Sequence, residues 1–251
     1  MIKTRYINVN YNKIYPPEIR SREILSPLLI LIRIVSLPIF LVSMLFRLSP
    51  NFVTFLSFIT LIFSGIFAFF GDFFISSIFM LVTLSLDCVD GQIARYKNKT
   101  SVMGLKMEAI HADLTLIYYP LSVSVGLFNA DLISIWTILL VAVSSGIYIN
   151  WRAILSTSSI SDDPSELSSI KKIIYSQQKP NENIRNNSLL GKIIFVIRMN
   201  MATQAGIPFY LIMIFLFFSP SSAVIPLQLM VISQLLIGLS LIVGKIVMNN
   251  E

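Results

Sequence analysis

Of the 251 residues only one is cysteine, Cys88, one is histidine, His111, and two are tryptophan. A lone cysteine excludes an intrachain disulfide and any metal cluster built on thiolates. Charge is scarce as well. Asp, Glu, Lys and Arg together make up 13% of the chain, about half the share of a soluble domain. In their place stand apolar residues, 55% of the total, with a mean hydropathy of +0.77. Such a composition excludes an ordinary soluble globular domain and calls for a bilayer.

The apolar residues come in long unbroken runs, which predicts helices: a crossing takes about 20 such residues, and a helix satisfies its own backbone in lipid. Five runs qualify, at roughly 52–70, 73–93, 114–129, 132–149 and 223–244, and a shorter sixth lies near 203–218. A further run, Pro27–Leu48, carries Arg33, Pro38 and Arg47. Arginine at a helix centre costs about 2.5–3.5 kcal/mol on insertion scales. This run therefore reads as an amphipathic helix in the interface plane, its arginines reaching headgroups.

Basic charge is missing from one side altogether. The outer connections of a six-span layout, around Gly71-Asp72, Ala130-Asp131 and Ser219–Ser222, contain no Lys or Arg, and all 19 basic residues fall at the inner side. This bias predicts that both termini are cytoplasmic. The expected class is an all-α integral membrane protein. A polar cytoplasmic arm (1–26) and the interfacial helix (27–48) precede a six-helix transmembrane domain (49–251), which carries a cytoplasmic loop at 156–200. The polar start predicts no cleavable signal peptide. The net charge of +6 is accounted for by topology and anionic membrane lipid, with no call for nucleic acid. Ser49-Pro50-Asn51 predicts the start of the first span, with Ser and Asn as cap residues and Pro as a breaker just before the helix.

Polar chemistry concentrates where the second span meets the third. At about 100° per residue, Asp87, Asp90, Gly91 and Ala94 share one helix face. Two acids at the end of an apolar helix are costly unless a positive partner holds them. As oxygen donors they suit a hard cation, and the small residues beside them let a bulky ligand approach the backbone. On the next helix, with Gly104 at zero, Glu108 falls at about 40°, His111 at about −20°, Ala112 at about 80° and Asp113 at about 180°. Glu108 and His111 thus share the Gly104 face and Asp113 points away. If that face meets the Asp87/Asp90 stripe, three carboxylates and an imidazole converge, a donor set for Mg²⁺ or Mn²⁺ bridging to substrate phosphates.

The string Asp87-x-x-Asp90-Gly91-x-x-Ala94-Arg95, eight residues, then Gly104-x-x-x-Glu108 resembles the signature of the CDP-alcohol phosphotransferase family, D-x-x-D-G-x-x-A-R-x8-G-x-x-x-D-x-x-x-D. Ser49-Pro50-Asn51-x-x-Thr54 resembles that family's entry to its first span. The resemblance implies an enzyme that transfers a phospho-alcohol from a CDP-alcohol donor to a hydroxyl acceptor and releases CMP, working as a homodimer in what is expected to be a prokaryotic cell membrane. It implies metal ligation by Asp87, Asp90 and Glu108, and substrate contact by Gly91, Ala94, Arg95, Gly104, Asn51 and Thr54. The chain departs from the pattern twice: Glu108 replaces the third Asp, and Ala112 stands where the family's fourth Asp activates the acceptor. The candidate bases are then His111, on the site face, and Asp113 as the alternative. Two rivals remain, a non-catalytic nucleotide- or lipid-binding relative and a membrane transporter.

Overall fold

The computed structural model describes residues 14–16, 27–99, 102–157 and 206–249. The expected loop at 156–200 lies almost wholly outside them, as does most of the arm at 1–26. The described residues are helical, with no strand among them. In chain order they form α1 (Pro27–Leu45), α2 (Pro50–Phe69), α3 (Phe73–Lys97), α4 (Val102–Asn129), α5 (Ile135–Thr157), α6 (Ile207–Phe218) and α7 (Val224–Asn249), with a 3₁₀ turn at Pro220–Ala223 before α7.

By length and composition three stretches can cross a membrane: Pro50–Phe69, Phe73–Lys97 and Pro220–Leu239. Shorter apolar helices occur at Ile30–Leu45, Ile135–Ile149 and Ile207–Phe218. Helix α4 has the length, but Lys106, Glu108 and Asp113 interrupt its first half.

The helix ends follow one design. Ser49 caps α2, its hydroxyl accepting from the Phe52 N–H, with Pro50 at the first helical position, where no donor is needed. Four helices close with the same Schellman motif, a residue at positive φ whose N–H reaches three back while the next N–H reaches five back. Arg47 and Leu48 close α1, Gly71 and Asp72 close α2, Asn98 and Lys99 close α3, and Asp131 and Leu132 close α4. Lys97 then donates from Nζ to the Leu48 carbonyl at 2.7 Å, tying the end of α3 to the turn that opens α2.

Helices α2 and α3 meet along a seam of small hydroxyls. Ser57 donates to the Thr83 carbonyl (3.0 Å), Thr83 to Thr60 Oγ1 (2.8 Å) and Ser64 to the Ser76 carbonyl (2.9 Å). Between apolar helices in lipid, small residues and such bonds hold the pair, each bond worth about 0.6 kcal/mol. Helix α4 comes so close to α2 that a β-carbon on Gly126 would overlap the Ala68 carbonyl oxygen. Tyr118 lies against Gly65 and donates to the Ile62 carbonyl at 2.9 Å.

The larger apolar core runs through α2, α3, α4, α6 and α7, around Leu61, Met80, Tyr119, Phe209 and Leu227. A second core gathers Phe40 of α1, Val53 of α2 and Leu86, Val89 and Ile93 of α3 around Ile14 and Tyr15 from the N-terminal segment. Helix α1 thus packs on α3, with Ser36, Phe40 and Ser43 inward and Leu31, Ile34, Val42 and Leu45 outward. Arg33, expected at the headgroups, instead places its guanidinium carbon 5.0 Å from the centre of the Tyr15 ring, a cation–π contact within the protein.

Candidate functional site

The start of α2, the end of α3 and the start of α4 lie at one end of the bundle, and their polar side chains meet there. Asp90 is 7% exposed, and its Oδ2 accepts from Thr54 Oγ1 at 2.6 Å. One turn earlier on α3, Asp87 brings Oδ1 to 3.2 Å from Nδ1 of His111 on α4. The other ring nitrogen, Nε2, is 2.9 Å from Ser57 Oγ, and the ring stands edge-on to Phe58 at 5.0 Å. Two motif carboxylates are therefore held from two other helices, Asp90 by α2 directly and Asp87 by α4 through an imidazole that α2 anchors.

Proton counting defines what His111 can do. Ser57 has one hydroxyl proton and gives it to the Thr83 carbonyl, so Nε2 of His111 is the donor to Ser57. Nδ1 then faces Asp87 Oδ1. The 3.2 Å separation is an ion-pair contact, yet its angle makes no hydrogen bond, and both atoms are buried without one. His111, 1% exposed, presents no ring nitrogen to the surface.

The remaining motif residues are placed as follows. Gly91 leaves room that Arg95 occupies, with Nη1 3.1 Å from where a Gly91 β-carbon would stand. The Arg95 Nε–H donates to the Ile14 carbonyl at 2.8 Å. Ala94 and Gly104 are half-buried, and Asn51 is exposed on the first turn of α2. Glu108 is exposed, Ala112 buried and Asp113 half-buried. Among the described residues no three or more His, Cys, Asp or Glu side chains are gathered closely enough to hold a metal ion. The converged set of three carboxylates expected from helical angles is thus not assembled, because Glu108 turns to solvent while His111 takes the inward position on α4. Asp90 nonetheless feels the negative charges of both Asp87 and Glu108. A divalent cation fits this donor chemistry: Asp87 and Asp90 are hard oxygen donors one turn apart, and a cation between them would offset their repulsion.

Ser57, Thr83, Ile14, Tyr15 and Gln92 join these side chains without having stood out in the sequence. Ser57 lies three residues after Thr54, hence on its face of α2, and that spacing was the available signal. Nothing local marks Ile14 or Tyr15.

The chain belongs to the CDP-alcohol phosphatidyltransferase family, whose model matches residues 47–244. The match takes in α2 to α6 and most of α7, and with them every motif residue described above. No curated protein and no solved structure matches the chain.

Proposed function

We propose that the chain is a membrane-embedded transferase that moves a phospho-alcohol group from a CDP-alcohol to a hydroxyl acceptor at the cytoplasmic face. The family supports a transferase acting on a CDP-alcohol donor and an alcohol acceptor. The observation that carries the fuller reading is the bracing of both motif carboxylates, Asp90 by Thr54 and Asp87 by His111. Buried acids are costly in such a helix and are retained where they hold something.

In this reading Asp87, Asp90 and Glu108 would hold a divalent ion, Mg²⁺ or Mn²⁺. Mg²⁺ is characteristically bound by one or two carboxylates plus substrate phosphates. When bound, such an ion would neutralise charge on the phosphoryl oxygens and orient the leaving group. Thr54 and His111 keep the two carboxylates from rotating, the part that partners beyond the ligands play in metal sites. The cytidine lies along Gly91 and Ala94, with Gly104 and Asn51 at its margins, and Arg95 addresses the diphosphate. The acceptor oxygen attacks the phosphorus distal to cytidine, the bond from that phosphorus to the CMP oxygen breaks, CMP leaves with the electron pair of that bond, and the hydroxyl proton passes to solvent water. Because neither nitrogen of His111 faces outward, the imidazole positions Asp87 and is not the proton acceptor. Six spans, cytoplasmic termini, a homodimer and a prokaryotic cell membrane complete the proposal.

A second reading, a relative that binds nucleotide or lipid without transfer, is favoured by one observation. The family's base position is Ala112, a buried methyl group that takes no proton. A screen of CDP-alcohol donors and hydroxyl acceptors, reading CMP release by purified protein with Mn²⁺, decides between the two. Release dependent on donor and acceptor supports transfer, and nucleotide binding without release supports the second reading.

A further inference from the structure

The N-terminal segment Ile14–Pro16 sits against the motif helix in a way that the metal-site reading does not use. Ile14 is fully buried and Tyr15 is 3% exposed, both within the core that α1, α2 and α3 share. Three contacts hold the segment. Gln92, fully buried inside the motif string, uses Nε2 to donate both to the Tyr15 hydroxyl and to Ser36 Oγ of α1, the latter at 2.8 Å. Arg33 of α1 lies over the Tyr15 ring. The Ile14 carbonyl accepts from Arg95 Nε at 2.8 Å.

The last contact has a consequence for Arg95. A guanidinium carries five N–H donors in a rigid fork, so a bond at Nε fixes the plane in which the two terminal nitrogens lie. That plane is set against Gly91, with Nη1 3.1 Å and Nη2 3.6 Å from the position of a β-carbon there. The backbone carbonyl of a segment about 80 residues away in sequence thus directs the fork onto the face that carries Asp87, Asp90 and Gly91. A long arginine side chain held in this way forfeits less conformational freedom when it binds an anion.

We propose that Ile14–Pro16 is a strap that positions Arg95 for the donor's diphosphate, latched by Tyr15 and Gln92; the proposal rests on the nucleotide reading of this site. Tyr15, Gln92 and the Ile14 carbonyl act through Arg95, which makes them positioning residues. The class of ligand that this fork suits is a nucleoside diphosphate, whose adjacent phosphates match the terminal nitrogens of one guanidinium.

Two measurements test the strap on the full-length protein in detergent. The first reads its docking independently of activity. In a Cys88→Ala background, Ile14→Cys reacts with a water-soluble maleimide at least about tenfold more slowly than the exposed control Asn98→Cys, and adding Tyr15→Ala removes most of that protection. The second reads its purpose. Calorimetric titration with cytidine 5′-diphosphate and Mg²⁺ gives an affinity that Tyr15→Ala weakens about tenfold when Arg95 is present and less than about twofold in an Arg95→Ala background. A merely structural strap would give the same loss in both backgrounds. Equal losses, or labelling of Ile14→Cys as fast as the control, overturn the strap. Failure of the unsubstituted protein to bind the diphosphate at all overturns the functional reading and, with it, the purpose assigned to Arg95, a result distinct from either of the other two.

Discussion

Thr54 Oγ1 donates to Asp90 Oδ2 at 2.6 Å across the α2–α3 interface, so the entry turn of one helix fixes the acid at the end of the next. Leaving a buried carboxylate short of a hydrogen bond costs about 1–3 kcal/mol. Thr54→Val keeps the shape and removes the donor. It should lower the transfer rate by about tenfold to a hundredfold, the range for partners beyond metal ligands, while Thr54→Ser retains most of it. Steady-state CMP release for the two variants checks this, and equal activity of Thr54→Val and the unsubstituted protein contradicts the bracing role.

His111 separates positioning from proton transfer. With Nε2 on Ser57 and Nδ1 against Asp87, its loss should cost about 10–100-fold as a second-layer partner. A lost general base would cost about 10²–10⁴-fold. His111→Asn, which keeps a polar group beside Asp87, should recover part of the loss that His111→Ala suffers, and the shape of the pH–rate profile should not change. Disappearance of an ascending limb in His111→Ala would return the imidazole to the role of base. Asp113→Asn should be mild, since a regular α4 turns Asp113 away from the Gly104 face. A dead Asp113→Asn enzyme would mean that this helix geometry misleads.

The packing of α4 on α2 rests on Gly126. A methyl group there meets the Ala68 carbonyl oxygen, a backbone atom that no rotamer change removes. Gly126→Ala should destabilise the protein by about 1–3 kcal/mol, as overpacking does. Thermal unfolding in detergent reads it, with Gly146→Ala as the control because nothing lies near that position. Equal midpoints for the two variants would refute the close contact.

Topology is tested by labelling from outside in a Cys88→Ala background. Ser221→Cys, exposed in the turn before α7, should react, whereas Ser158→Cys and Ser26→Cys should not. External labelling at Ser26→Cys would mean that the Pro27–Leu48 run spans the bilayer.

Much of this architecture was legible because membrane helices announce themselves locally. Apolar run length gave the starts of α2, α3, α5, α6 and α7 within a few residues, and Ser49-Pro50 gave the start of α2; it missed the polar first three turns of α4 and the last two turns of α5. The motif spacing gave the family. Helix ends were harder to read, since a C-terminal left-handed residue is usually Gly or Asn; Gly71 and Asn98 conform, while Arg47 and Asp131 do not. Helical angles placed His111 toward α3, but they also placed Glu108 there, and tertiary packing buried one and exposed the other. The bonds from Gln92 to Tyr15 and from Arg95 to Ile14 were out of reach altogether. They join residues 77 and 81 positions apart, and no periodicity encodes such a contact.

The central claim is that Asp87 and Asp90 hold a divalent ion on which phospho-alcohol transfer depends. The direct measurement is CMP release from a CDP-alcohol with Mn²⁺ present, after chelation, and in Asp87→Asn and Asp90→Asn, with Mn²⁺ binding followed in parallel by electron paramagnetic resonance. The account predicts release by the unsubstituted protein that chelation abolishes and added Mn²⁺ restores. Each variant should fold, insert, lose Mn²⁺ binding and release no CMP above background. Full CMP release by either variant, or release indifferent to chelation, would contradict the account.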